Sequence, residues 1–417
     1  MSDNPQTSIS TVRGNAVIVP SDENREVHIR IRWTLPEKTP QEPLALLLGV
    51  LQESPKAFLD HRDYQTELYR LGGAEISFGI ERMGARFTVT LAASCTTNRF
   101  MHSVVPVETK LVRVVKALID RGPRLDPVSI SLAKGKLLRT NADLSGGAVG
   151  LASLKLVGLF PDSDLLVSPA GNSSFLREVT AEQVDAVYRE LLASPCVIAV
   201  KNLPQAALNA LLKRFGSPLG EPRKARATSC NTDRDAPLYY YATTSTDVVH
   251  RCYRFAGPTG FDVHSRLLRM VLREVLSGSD SLLFNQIRER RGMTYAIDSS
   301  FDIGTDVLHV SFQTELHRAD RAIRAVDEVL AAAPELVSDR MIEEAIIQIE
   351  RSLKSSFNSW AEAQCRLQLS CLECGLPRDL ASWQKALGEI TPEAVRQALG
   401  AIRPLTGVVV TQSEEER

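Results

Sequence analysis

Residues 281–300 read SLLFNQIRERRGMTYAIDSS, a basic helix end joined to a strand start around one glycine. Leu282, Leu283, Phe284 and Ile287 supply the apolar face of a helix expected over Leu282 to Arg291. Gly292 suits the left-handed residue that closes such a helix, and the alternation Tyr295, Ile297, Ser299 predicts a strand. Arg288 and Tyr295 then flank the turn. A guanidinium and a phenol at one surface can both donate hydrogen bonds to a carbonyl oxygen. Plainer roles stay open for the same residues: an arginine complementing a helix dipole, and a tyrosine that merely packs.

Working outward, the 417-residue chain is too long for one ordinary core and is read as two domains. An internal echo supports this. Val179-Thr180-Ala181-Glu182-Gln183-Val184 is matched by Ile390-Thr391-Pro392-Glu393-Ala394-Val395, and the strand Val197 to Val200 by Val408 to Thr411. Each copy has a Thr N-cap, an acidic first turn and a terminal β-branched run. A repeat of domain size indicates duplication rather than a solenoid. Residues 1–216 form the N-terminal domain, residues 217–237 a linker rich in charge and Pro, and residues 238–417 the C-terminal domain. Strands with helices segregated to one side imply an α+β fold with mainly antiparallel sheets. A long helix is expected from Asp339 to Trp360, with Ile342, Ile346, Ile349, Leu353, Phe357 and Trp360 on one stripe.

The chain carries 49 Lys+Arg against 50 Asp+Glu, so its overall charge points to neither nucleic acid nor an anionic membrane. No apolar run reaches the roughly 18 residues of a membrane span, and the polar N-terminus has no leader character, so a cytoplasmic protein is expected. Seven scattered cysteines argue against a disulfide framework; Cys371 and Cys374, with Cys365 nearby, read as buried helical thiols rather than a metal site. No His-x-x-x-His pair, nucleophile elbow or phosphate loop is present.

The stretch SLLFNQIRERRGMTY resembles the C-terminal-half signature of the pitrilysin/insulinase metallopeptidases, in their mitochondrial-processing-peptidase-like bacterial branch. That pattern runs S-R-L-F-x-x-[IV]-R-E-[KR]-R-G-[LM]-[AST]-Y, and Leu282 is the clear departure. The resemblance implies a subunit of two αββ-rich halves, and implies that Arg288 and Tyr295 contact a peptide across a cavity from zinc held by another half. Active members carry His-x-x-Glu-His on the first long helix, where two imidazoles on one face bind zinc and the Glu serves as base. Here the matching stretch is LALLLGVL, residues 44–51, in which Leu46, Gly49 and Val50 replace both ligands and the base. The further Glu ligand expected downstream is also missing, since no Glu lies between Glu108 and Glu178. The resemblance therefore implies a zinc-free, non-catalytic subunit whose partner is a homologous zinc-bearing chain and whose ligand is an extended peptide. The alternatives are a structural scaffold, or a stand-alone peptide-binding protein of the same fold.

Overall fold

The computed structural model describes residues 10–20, 26–83, 86–101, 103–159, 168, 170–218, 238–243, 248–256, 261–278, 280–302 and 307–412. The first half runs β1 (Thr11–Arg13), β2 (Ala16–Val19), β3 (Glu26–Thr34), α1 (Gln41–Glu53), α2 (His61–Arg70), β4 (Glu75–Met83), β5 (Arg86–Thr96) and α3 (Asn98–Met101). It continues through α4 (Val107–Arg121), α5 (Pro127–Gly146), α6 (Ala148–Leu159), α7 (Ser173–Glu178), α8 (Ala181–Ala193), β6 (Cys196–Lys201) and α9 (Gln205–Phe215). The second half runs β7 (Leu238–Thr243), β8 (Val248–Phe255), α10 (Val263–Ser277), a π-helical turn (Phe284–Glu289), β9 (Ala296–Phe301) and β10 (Val307–Gln313). It ends with α11 (Ala319–Ala331), α12 (Ala333–Leu336), α13 (Asp339–Phe357), α14 (Ala361–Cys374), α15 (Leu380–Gly388), α16 (Pro392–Gly400) and β11 (Ile402–Gln412).

The strands form two sheets, ordered β1-β2-β6-β3-β5-β4 and β7-β11-β8-β10-β9. Apart from β1 the two share one plan. A parallel pair, β2 with β6 or β7 with β11, is followed by antiparallel neighbours. The fold is thus α+β, with two mixed, mainly antiparallel sheets covered by helices, and the duplication read from the sequence is a duplication of topology. Its cap signals hold as well: Thr180 forms a capping box with Gln183, and Thr391 accepts from the Ala394 N–H at 3.2 Å.

In each sheet the period-2 alternation separates two faces. On β3, Val27, Ile29, Ile31 and Trp33 face the helical core of the first half, whereas Arg30 and Arg32 point to the other side. What covers those second faces is an exchange between halves. Helix α14 lies across the first sheet, burying Cys365, Leu369 and Leu372 against Val17, Val19 and Ala199. Helix α6 lies across the second sheet, burying Ala148, Ala152 and Leu156 against Val248, Cys252, Val408 and Val410. To reach across, the chain bends by 102° between α5 and α6. A Cβ on Gly150 would sit 1.9 Å from the Leu144 carbonyl oxygen, so only glycine permits that approach.

Two expectations change in detail, and a third lies mostly outside the described residues. The helix expected over Leu282 to Arg291 widens to the π-helical turn Phe284–Glu289. Helix α13 stops at Phe357, and Trp360 caps the start of α14 with its ring 71% exposed rather than extending the stripe. Most of the expected linker, residues 219–237, lies outside the described residues. No single helix among the described residues is long and apolar enough to cross a membrane; α5 and α6 reach that length and apolarity only as the bent pair.

Candidate functional site

Helix α1 occupies the place of the expected zinc helix. Leu44, Leu46, Leu47, Val50 and Leu51 are fully buried, so the helix is a core element with no polar face. Gly49 faces α5: a Cβ there would meet Ala133 Cβ at 3.5 Å and Leu137 Cδ1 at 3.6 Å. A carboxylate at this position would enter an apolar seam. Leu46 and Val50 offer no donor atoms, and no group of three or more His, Cys, Asp or Glu among the described residues could hold a metal ion. These residues do not fit zinc.

Arg288 and Tyr295 stand on the unit the sequence singled out. Gly292 adopts φ +57°, its N–H donates to the Arg288 carbonyl at 3.0 Å, and the Met293 N–H donates to the Ile287 carbonyl at 3.1 Å. Ile287 is buried beneath the turn, whereas Arg288 is exposed, its guanidinium 4.8 Å from the Phe284 ring centroid and 3.8 Å from Glu289. Tyr295 directly precedes β9 rather than opening it. Its N–H donates to the Gln313 carbonyl at 3.0 Å, and its ring is 65% exposed. The phenol donates to Glu315 Oε1 at 3.1 Å; that bond and the carboxylate charge push its pKa up, so it keeps its proton at neutral pH. Glu315 also pairs with Arg318 at 3.3 Å. A protonated phenol and a guanidinium at the surface can each donate to an incoming carbonyl, with Glu315 as the partner the phenol would leave.

A counterpart of this unit, with Tyr69 exposed and Ile76 buried, lies in the first half. After α2, the Gly73 N–H donates to the Tyr69 carbonyl at 3.2 Å and the Ala74 N–H to the Leu68 carbonyl at 2.9 Å. These are the same two bonds that close the second unit, and Gly73 has φ +72°. The pairing sets Tyr69 opposite Arg288 and Ile76 opposite Tyr295. Ile76 is only 4% exposed and belongs to the core. The fold therefore builds this turn without needing Arg or Tyr at those positions.

The sequence missed two features here. Glu315, the hydrogen-bond partner of Tyr295, carries no signal beyond following β10. A cleft of about 810 Å³ between the halves collects Arg32 from β3, Arg82 from β4, Arg266 from α10 and Arg366 from α14. Its lining is scattered too widely along the chain for spacing to reveal. The cysteine reading stands: Cys365 and Cys371 are buried, and burial pushes each thiol up to about 12. Cys374 is half-buried and lines that cleft.

No family model matches the sequence, and no curated protein matches it. The fold does have close likenesses among solved structures. A conserved protein from Enterococcus faecalis V583 superposes with a TM-score of 0.83 over 97% of this chain and 99% of its own, at 16% identity. The peptidase M16 inactive domain from Pseudomonas fluorescens gives 0.73 over 97% and 98%, also at 16% identity. A putative M16-like peptidase from Alicyclobacillus acidocaldarius gives 0.69 over 97% and 98%, at 12% identity. With its duplicated sheets covered by helices, the chain shares the fold of these M16 peptidase-like structures over nearly its whole length.

Proposed function

We propose that this chain is the zinc-free subunit of a heterodimeric zinc peptidase, divided at residues 217–237 into two homologous domains, and that Arg288 and Tyr295 contact the peptide cleaved at its partner's metal. The observation that carries the reading is the pair of matched turns: identical backbone bonds hold an exposed Tyr295 in one and a buried Ile76 in the other, while Arg288 and its match Tyr69 are both exposed. Side chains that the fold does not need, set out in solvent with donor groups, suit recognition better than packing. Arg288 and Tyr295 would donate to the scissile carbonyl and the oxyanion that develops on it, each worth ~3 kcal/mol of transition-state stabilisation. The peptide would add as an edge strand, its backbone giving affinity and side-chain pockets giving selectivity.

Mixing the purified chain with a homologous chain bearing His-x-x-Glu-His tests this. The two should co-purify, and peptide cleavage should rise by orders of magnitude over the partner alone. A partner equally fast without this chain would refute the reading. A second reading, a peptide-binding protein acting without peptidase partner, draws support from the cleft between the halves, which this chain forms by itself.

A further inference from the structure

The cleft of about 810 Å³ has walls from both halves, β3 and β4 on one side and α10, α13 and α14 on the other. Four arginines line it against one lining carboxylate, Glu81. Arg32 is already committed: it is 4% exposed and bonds Glu373 and Thr90 while pairing with Glu81 at 3.1 Å. Arg82 stacks its guanidinium 5.5 Å from the Phe87 ring. Arg266 and Arg366 differ, since neither has a carboxylate within ion-pair distance among the described residues. Arg266 rests over the Trp383 ring at 5.9 Å, and Arg366 is exposed. Beside the cleft, burial lowers the pKa of Arg30; Glu362 and Glu81 oppose this, and the charges of Arg32 and Arg366 add to it.

Beside these charges stands an apolar rim. Trp360 is 71% exposed, and Phe261 and Leu367 line the same space half-buried. A small inorganic anion would leave these rings unused, and an apolar ligand would leave two forked guanidiniums unpaired. We propose that the cleft holds an acidic peptide segment, with Arg266 and Arg366 gripping its carboxylates and Trp360 covering an adjacent apolar side chain. Planar guanidiniums take carboxylates bidentately, and an exposed indole supplies contact area at low entropic cost. The proposal shares with the proposed function only the premise of a peptide ligand, and needs neither partner nor metal.

Of the three tryptophans, Trp360 is exposed in the cleft and the buried Trp383 lies under Arg266, so intrinsic fluorescence reports on ligand at either group. The full chain alone is titrated with acetyl-Asp-Phe-Glu-Phe-Asp-amide, with its Asn/Gln counterpart, and with inorganic phosphate, followed by fluorescence and calorimetry. The acidic peptide should bind saturably. The amide counterpart should bind at least tenfold more weakly, phosphate at equal concentration should not displace the acidic peptide, and Arg366→Ser should weaken binding at least tenfold at unchanged melting temperature. Trp360→Phe should reduce the fluorescence change while calorimetric binding persists. Absence of binding, equal binding of the neutral peptide, displacement by phosphate, or full binding by Arg366→Ser overturns the proposal. Because no partner is present, any of these outcomes leaves the peptidase-subunit reading untouched.

Discussion

The turn after α2 and the turn before β9 share a left-handed glycine and two backbone hydrogen bonds, yet one hides Ile76 and the other exposes Tyr295. The same contrast runs through the larger exchange of helices. Under α14 the first sheet presents Arg30, Arg32 and the buried Lys201, which meet Glu362, Glu373 and Gln364 of the helix. Under α6 the second sheet presents Val248, Cys252 and Val408, with His250 and His309 on the same face. One clasp adds buried ion pairs to its apolar contact, and the other is apolar apart from two imidazoles. Duplication fixes topology, because strand order and glycine turns follow from backbone geometry; it leaves free the side chains that clasp or recognise.

Breaking the ionic clasp should give the largest effect on stability. Arg32 and Glu373 are 4% and 3% exposed and 3.2 Å apart, so Arg32→Met or Glu373→Gln removes one partner of a buried ion pair and should cost about 3–5 kcal/mol in urea unfolding, nearer the low end for Glu373→Gln because Arg32 keeps Glu81 and Thr90. Replacing both together should cost much less than the two single losses combined. A loss below about 1 kcal/mol for either single variant would show that the clasp is not electrostatic.

The apolar clasp makes the complementary prediction about acid. Burial pushes His250 and His309 down to about 4, Asp302 opposing this at His309 and the neighbouring His250 adding to it. About a unit or more above pH 6.5 both rings are neutral folded or unfolded and contribute nothing. As pH falls from 6.5 toward 4, the unfolded chain takes protons that the folded chain refuses, so stability declines, by about 3 kcal/mol per ring, and the loss levels off below about pH 4. Urea midpoints at pH 7 and pH 5 check this. His250→Leu should flatten the decline, and an unchanged acid dependence would mean that the ring titrates freely in the fold.

A smaller effect separates the two turns. Ile76→Ala should cost about 2 kcal/mol, near the low end for a core truncation because an edge strand can relax, whereas Tyr295→Ala should stay within about 0.5 kcal/mol. Equal losses at both sites would return Tyr295 to a packing role.

The sequence made the repeat legible because caps and β-branched strands are local: Thr180 and Thr391 keep their role in any tertiary setting. Gly292 was legible for the same reason. The helix exchange was not, since AVGLASLKLVGL in α6 is apolar on all sides and nothing local says which sheet it covers. Trp360 kept helical spacing with Phe357, but Asn358 and Ser359 break the helix between them. The cleft stayed hidden because Arg32 and Arg366 meet only through that exchange, and Ile76 stands opposite Tyr295 only once hydrogen bonds align the turns.

The central claim rests on Arg288 and Tyr295 acting on a substrate rather than on the fold. Steady-state kinetics of this chain mixed with the proposed zinc-bearing partner, run beside melting curves, test it most directly. Arg288→Ala and Tyr295→Phe should each lower kcat roughly 10- to 1,000-fold with the melting temperature nearly unchanged, and Tyr69→Ala in the matching turn should leave kcat alone. Wild-type turnover in both Arg288→Ala and Tyr295→Phe, or losses that track melting temperature and recur in Tyr69→Ala, would contradict the account.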